Sequence, residues 1–180
     1  NDSPSRQLAR YIKTVTQQYV PQLDIQLVYR NDRFLRGGDH TPFSQNGFTA
    51  IRFCEMNENY DHQHQNVRKE NNIQYGDLPE FMDFEYMHKV TCSNLATFSN
   101  LAWSPKTPEN VGIEVKELTN SSVLVWQVPQ GKPVFGYTIL IRETSASHWQ
   151  KAVFTKENKI EIPYSKDNYF FAVQSVDALG

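Results

Sequence analysis

The sequence predicts two architectures in tandem: an α/β unit up to about residue 104, then an all-β sandwich from about residue 111. Three observations carry that reading. In the first hundred residues apolar side chains recur at helical spacing around two short runs that read as strands covered on both faces. Beyond Pro105 the apolar period changes to two. Pro105 and Pro108 bracket the change and mark a linker. The expected divisions are 1–104, 105–110 and 111–180.

Ser3-Pro4 opens a helix, with Ser as the cap and Pro where no backbone hydrogen bond is lost. Leu8, Ile12, Val15 and Tyr19 form its apolar stripe, and Pro21 ends it. Asp24 to Arg30 reads as a strand: Ile25, Leu27 and Tyr29 share one face and Val28 makes the other apolar. A polar loop with Gly37-Gly38 leads to Thr41-Pro42, which opens one helical turn ending at Gly47. Phe48 to Phe53 reads as a second strand. Glu55 to Gly76 has no periodicity, and a loop of that length is usually functional or disordered. Asp77-Leu78-Pro79-Glu80 has the form of a capping box. A helix is expected from there to Trp103, with Phe84, Met87, Thr91, Leu95, Phe98 and Ala102 on one side and Ser104-Pro105 as the stop. Six short strands follow: Val111–Val115, Val123–Gln127, Gly136–Arg142, Trp149–Thr155, Lys159–Ile162 and Tyr169–Val176. Short strands at this spacing, with turn residues between them, point to a sandwich or small barrel.

Composition bounds the function. An apolar fraction of 39% suffices for a packed core. A net charge of −2 with mixed signs offers no basic field for nucleic acid or anionic lipid. No apolar run reaches the roughly 18 residues of a membrane span. The chain opens Asn1-Asp2-Ser3-Pro4, with no signal peptide visible and no initiating Met, as expected of a mature form or an excised fragment. Cys54 and Cys92 read as buried free thiols, with a disulfide as the alternative.

Asp and His are crowded at both ends of the Phe48–Phe53 run, where active sites of open α/β sheets gather. On one side stands Gly37-Gly38-Asp39-His40-Thr41-Pro42-Phe43, and on the other Tyr60-Asp61-His62-Gln63-His64-Gln65-Asn66. These elements, with Gly47-Phe48-Thr49-Ala50, resemble the C-terminal part of a di-zinc exopeptidase. The family is the bacterial leucyl-aminopeptidase type, which includes glutamate carboxypeptidases and glutaminyl cyclases. It shows Ser-Asp-His-x-x-Phe, a strand, then Tyr-His-Thr-x-x-Asp-Thr, in which the His is a zinc ligand. The resemblance implies that His62 is that ligand. Asn66 stands where Asp is usual and Asp61 where Tyr is common, with Tyr60 one place earlier. Asp39, His40, Phe43 and Tyr60 are expected in the substrate pocket or as supports of the metal ligands. Neutral imidazole is a standard zinc ligand and needs an acceptor for its other ring nitrogen.

The same resemblance implies two zinc ions and about five ligands, with a Glu as general base. The family's His-x-Asp, Glu-Glu and further Asp elements lie upstream, and residues 1–37 contain no match. No catalytic residue is therefore expected in this chain. It is expected to be inactive alone, to bind zinc weakly, and to self-associate through residues 1–104. The parent enzyme would cleave terminal peptide bonds, as a probable aminopeptidase secreted or held in the periplasm.

Residues 111–180 resemble a fibronectin type III domain, on Ser122-Val-Leu-Val-Trp126 with Pro129, Gly136-Tyr137-Thr138-Ile139 and Tyr169 to Asp177. That resemblance implies a core of Leu124, Trp126, Tyr137, Ile139, Tyr169, Phe171 and Val173. One further strand would be expected after Gly180.

Plainer readings stand beside these. His-x-His alone is a weak metal signal, so His62 taken alone is a solvated loop residue. His64 likewise reads as a solvated loop residue, His88 as structural and Phe43 as core. Asn120-Ser121-Ser122 fits a glycosylation sequon, a triplet common by chance. The alternative function is a non-catalytic fragment whose sandwich binds protein or carbohydrate.

Overall fold

The computed structural model describes residues 2–29, 37–116 and 119–178. The chain divides into two compact units, Asn1–Thr97 and Phe98–Gly180.

In the first unit, helix α1 (Pro4–Tyr19) starts as the sequence dictates: Pro4 is in its first turn and the Ser3 hydroxyl accepts the Arg6 amide at 3.4 Å. Ile12 and Val15 of its stripe are buried, whereas Tyr19 is exposed. Helix α3 (Phe84–Trp103) meets it through small polar side chains. The buried Thr16 hydroxyl donates to Ile12 O at 2.7 Å, so Ser93 must donate the 2.6 Å bond between the Ser93 and Thr16 hydroxyls. That pair satisfies two polar groups at a close helix contact, where leaving either unpaired would be costly.

Between the helices lie α2 (His40–Gln45), strands β1 (Arg68–Glu70) and β2 (Ile73–Tyr75), and a single 3-10 turn at Pro79–Phe81. Gly47, with φ of +82°, closes α2 in the left-handed conformation that a glycine adopts freely.

The structure corrects several expectations here. Residues 24–29 and 48–53 form no strand, because a strand exists only with a hydrogen-bonded neighbour, and neither segment has one among the described residues. Arg30 lies outside the described residues. Among the described residues the first unit is thus helical with one small antiparallel hairpin. The expected α/β sheet is not formed by the described residues.

The long loop also contains more order than expected. β1 and β2 pair around Asn71-Asn72, both at positive φ (48° and 65°), the requirement of a tight hairpin turn. The main helix begins later than the Asp77 box implied. After the 3-10 turn the chain restarts at Asp83, whose Oδ1 accepts the Tyr86 amide at 2.9 Å. Neither cysteine forms a disulfide, and Cys54 is exposed and Cys92 half-buried, so neither is the buried thiol expected.

In the second unit the period of two becomes β3 (Glu109–Glu114), β4 (Ser122–Gln127), β5 (Gly136–Glu143), β6 (Lys151–Thr155), β7 (Lys159–Ile162) and β8 (Tyr169–Val176). They form two three-stranded antiparallel sheets, ordered β3-β4-β7 and β6-β5-β8. Leu124, Trp126, Tyr137, Ile139, Ile141 and Ile162 make the core, with Tyr169, Phe171 and Val173 packed against it. Trp126 meets Tyr137 edge to face at 5.1 Å. Gly136 leaves space for Phe154: a Cβ there would lie 2.4 Å from the Phe154 ring. Among the described residues no helix is long and apolar enough to cross a membrane.

Candidate metal-ligand site

His62 sits in the loop between residue 53 and β1, and that loop is held at several points. Asn59 Oδ1 accepts the Asp61 amide at 3.1 Å, and Asn59 O accepts the His62 amide at 3.2 Å. The Gly76 amide then donates to Asp61 O at 2.9 Å, tying the turn to the hairpin. Gly76 has φ of +101°, and a Cβ there would lie 2.7 Å from Val67 Cα, so only glycine fits.

The half-buried His62 ring lies flat on Phe81, with centroids 3.6 Å apart and planes 4° from parallel. Phe81 thereby sets the plane of the imidazole. Asn59 Nδ2 lies 3.3 Å from His62 Nδ1. The Asn59 oxygen is already committed to the Asp61 amide, so the amide group faces the ring as a donor. Phe81 also lines a mostly apolar cavity of about 240 Å³ with Phe53, Cys54, Met82, Tyr86, Met87 and Val90, with the acidic Glu55 and Asp83 in the same lining.

The second motif is built around α2. Gly38 O accepts the Thr41 amide at 2.9 Å and the Thr41 hydroxyl accepts the Gly38 amide at 3.1 Å. Asp39 precedes α2 but makes no capping bond, and its carboxylate is exposed. The half-buried His40 folds back onto Gly38, and its Nδ1 is buried without a hydrogen-bond partner among the described residues. Phe43 is 59% exposed and meets Phe48 edge to face at 6.4 Å. Tyr60 is 43% exposed, and its hydroxyl donates to Glu58 Oε2 at 3.4 Å.

The expected site residues therefore fall into separate groups. Tyr60 is joined through Glu58 to Arg52, whose guanidinium also donates to Gly37 O, three residues before His40. His62 has its own partners, Phe81 and Asn59. Asp39 and Phe43 join neither group. His64 is exposed, in the left-handed region at φ of 55°. His88 lies on α3 with its Nε2 3.4 Å from Cys92 Sγ.

Sequence reasoning missed Arg52, Glu58, Asn59 and Phe81. Arg52 alone carried a signal, as a single charge in the otherwise apolar Phe48–Phe53 run. The other contacts depend on loop geometry.

Imidazole nitrogen suits zinc and Phe81 fixes the plane of the His62 ring, but Asn59 meets that ring as a donor and not as the acceptor that a ligating imidazole's second nitrogen needs. However, no group of three or more His, Cys, Asp or Glu side chains converges among the described residues. They fit one zinc ligand and not a zinc site.

Over 98% of its length the chain is 47% identical to a probable zinc metalloprotease of Leptosphaeria maculans. It is 44% identical over its whole length to one of Pyrenophora teres f. teres, and 40% identical to one of Pyricularia oryzae. Its relatives are named as probable zinc metalloproteases. The chain spans only 41%, 38% and 37% of those three proteins, about two fifths of their length. No family model matches the sequence. A solved structure of titin kinase and its flanking domains is 22% identical and covers 43% of this chain and 15% of its own, with a TM-score of 0.36, too slight a likeness to carry an argument.

Proposed function

We propose that this chain is the C-terminal part of a zinc-dependent exopeptidase, an aminopeptidase by its resemblance, whose remaining ligands and general base lie in the larger part of the protein. The observation that carries this is the unbroken similarity to zinc metalloproteases more than twice as long. Within this chain, His62 would be one zinc ligand, its ring plane set by Phe81. Bound zinc polarises a carbonyl and supplies a nucleophilic water at neutral pH. This chain's own contribution is to hold the imidazole in place. The mostly apolar cavity beside Phe81 would take a nonpolar side chain of the substrate.

Domain limits of 1–104, 105–110 and 111–180 belong to the same reading, with the last segment a fibronectin type III-like sandwich. Its support is the interleaved strand order β3-β4-β7 and β6-β5-β8 around Trp126. Location outside the cytoplasm, a peptide substrate and self-association through residues 1–104 complete the proposal.

The test compares this chain with the full-length protein on a chromogenic leucyl substrate. Turnover and two bound zinc ions are expected in the full-length protein, with both sharply reduced in His62→Ala. The isolated chain should be inactive. Full activity and zinc content in full-length His62→Ala would refute the assignment.

A further inference from the structure

We propose that Arg52 is a positioning residue that ties the loop carrying His40 to the loop carrying His62. One guanidinium nitrogen donates to Gly37 O at 3.2 Å, just before Asp39-His40. The other donates to Glu58 Oε1 at 3.2 Å, just before Asn59-Tyr60-Asp61-His62. Glu58 is the committed partner: its side chain is 9% exposed, and its second oxygen accepts the Tyr60 hydroxyl. A carboxylate so shielded needs both donors, because a buried charge left unpaired is strongly unfavourable.

The stem of Arg52 also takes part. A Cβ on Gly38 would lie 3.3 Å from Arg52 Cδ and 3.1 Å from His40 Nδ1. A side chain at position 38 would thus press on both His40 and the Arg52 stem. The planar fork of arginine donates in two directions at once, which a lysine ammonium on a flexible stem does less well. His62 is reached through the Asn59 turn, whose carbonyl accepts its amide.

The inference rests on the zinc-peptidase reading only for what the two histidines are for. Its test uses the metal-free 180-residue chain, with histidine-ring NMR and amide hydrogen exchange as readouts. Arg52→Met should shift the His40 and His62 ring signals and speed exchange of the amides of residues 59–62 by roughly tenfold, the scale of losing a charge-assisted hydrogen bond. Arg52→Lys should restore part of both effects. Gly38→Ala, which leaves every charge in place, should shift the His40 signal. Unmoved ring signals in Arg52→Met would overturn the proposal. So would equal acceleration in α1, which would make Arg52 a general stabiliser. Saturating zinc is a separate arm: a wild-type His62 signal that zinc leaves unmoved counts against the ligand reading and leaves the clamp standing.

Discussion

Ile139 and Leu95 are both large aliphatic residues within regular secondary structure, yet Ile139 is 0% exposed and Leu95 is 65% exposed. The difference extends to the units around them. In the second unit, two sheets enclose a core of Leu, Ile, Trp and Tyr side chains. In the first, the buried apolar residues are Ile12, Val15, Val20 and Leu23, while Phe48, Met56, Phe84 and Leu95 are exposed. The second unit closes a core and still exposes Phe98, Trp103, Phe135 and Phe154, whereas the first buries few of its large apolar side chains. Contiguous exposed apolar surface marks interaction surfaces.

The largest expected effect separates the two units directly. Ile139→Ala should destabilise the second unit by about 2–5 kcal/mol, because it opens a cavity in a closed core. Leu95→Ala should stay within about 0.5 kcal/mol, as exposed substitutions do. Urea unfolding of both variants checks this. A large loss from Leu95→Ala would break the comparison.

Within the first unit the loop around His62 is the exception to the open character, and it can be broken at one atom. Gly76→Ala should cost about 1–3 kcal/mol locally, from a positive φ and from collision with Val67. Amide exchange should rise in β1 and β2 and in the Asp61 turn, with α1 unaffected.

Asp83→Ala should cost about 1 kcal/mol by removing the cap of α3, whereas Asp77→Ala should have little effect. Helix content by circular dichroism across a thermal scan separates the two.

The smallest effect lies in the second unit. The Lys151 ammonium donates to the Tyr164 hydroxyl at 2.7 Å, which raises its pKa above the ordinary 10.5. A folded-state pKa above the unfolded one means that the contribution is present below the unfolded value and lost as pH rises through the folded value. Tyr164→Phe should move the Lys151 titration back down, as read by NMR of the ε-methylene.

The two units also differ in how much of them could be read from the sequence. Strands β4 and β5 follow from alternation, because each buries one face and its register is fixed by which residues point inward. Tyr137, Ile139 and Ile141 show this in eight residues. In the first unit the same alternation at 24–29 and 48–53 misleads, since pairing depends on a neighbour that a local pattern cannot supply. The hairpin at 68–75 was missed because its strands are polar and its only strong signal is Asn71-Asn72. Asp77 and Asp83 are both sound caps by sequence, and the 3-10 turn between them decides for the second. At the candidate site His62 was reached through a resemblance, whereas Phe81 and the Arg52–Glu58 pair became visible only in three dimensions.

The account depends most on the exposed apolar side chains of the first unit, and sedimentation velocity of the 180-residue chain over a wide concentration range tests it most directly. Concentration-dependent association is expected, weakened by Leu95→Glu and untouched by an exposed substitution in the second unit such as Phe170→Ser. A clean monomer at every concentration, with Leu95→Glu sedimenting identically, would contradict it.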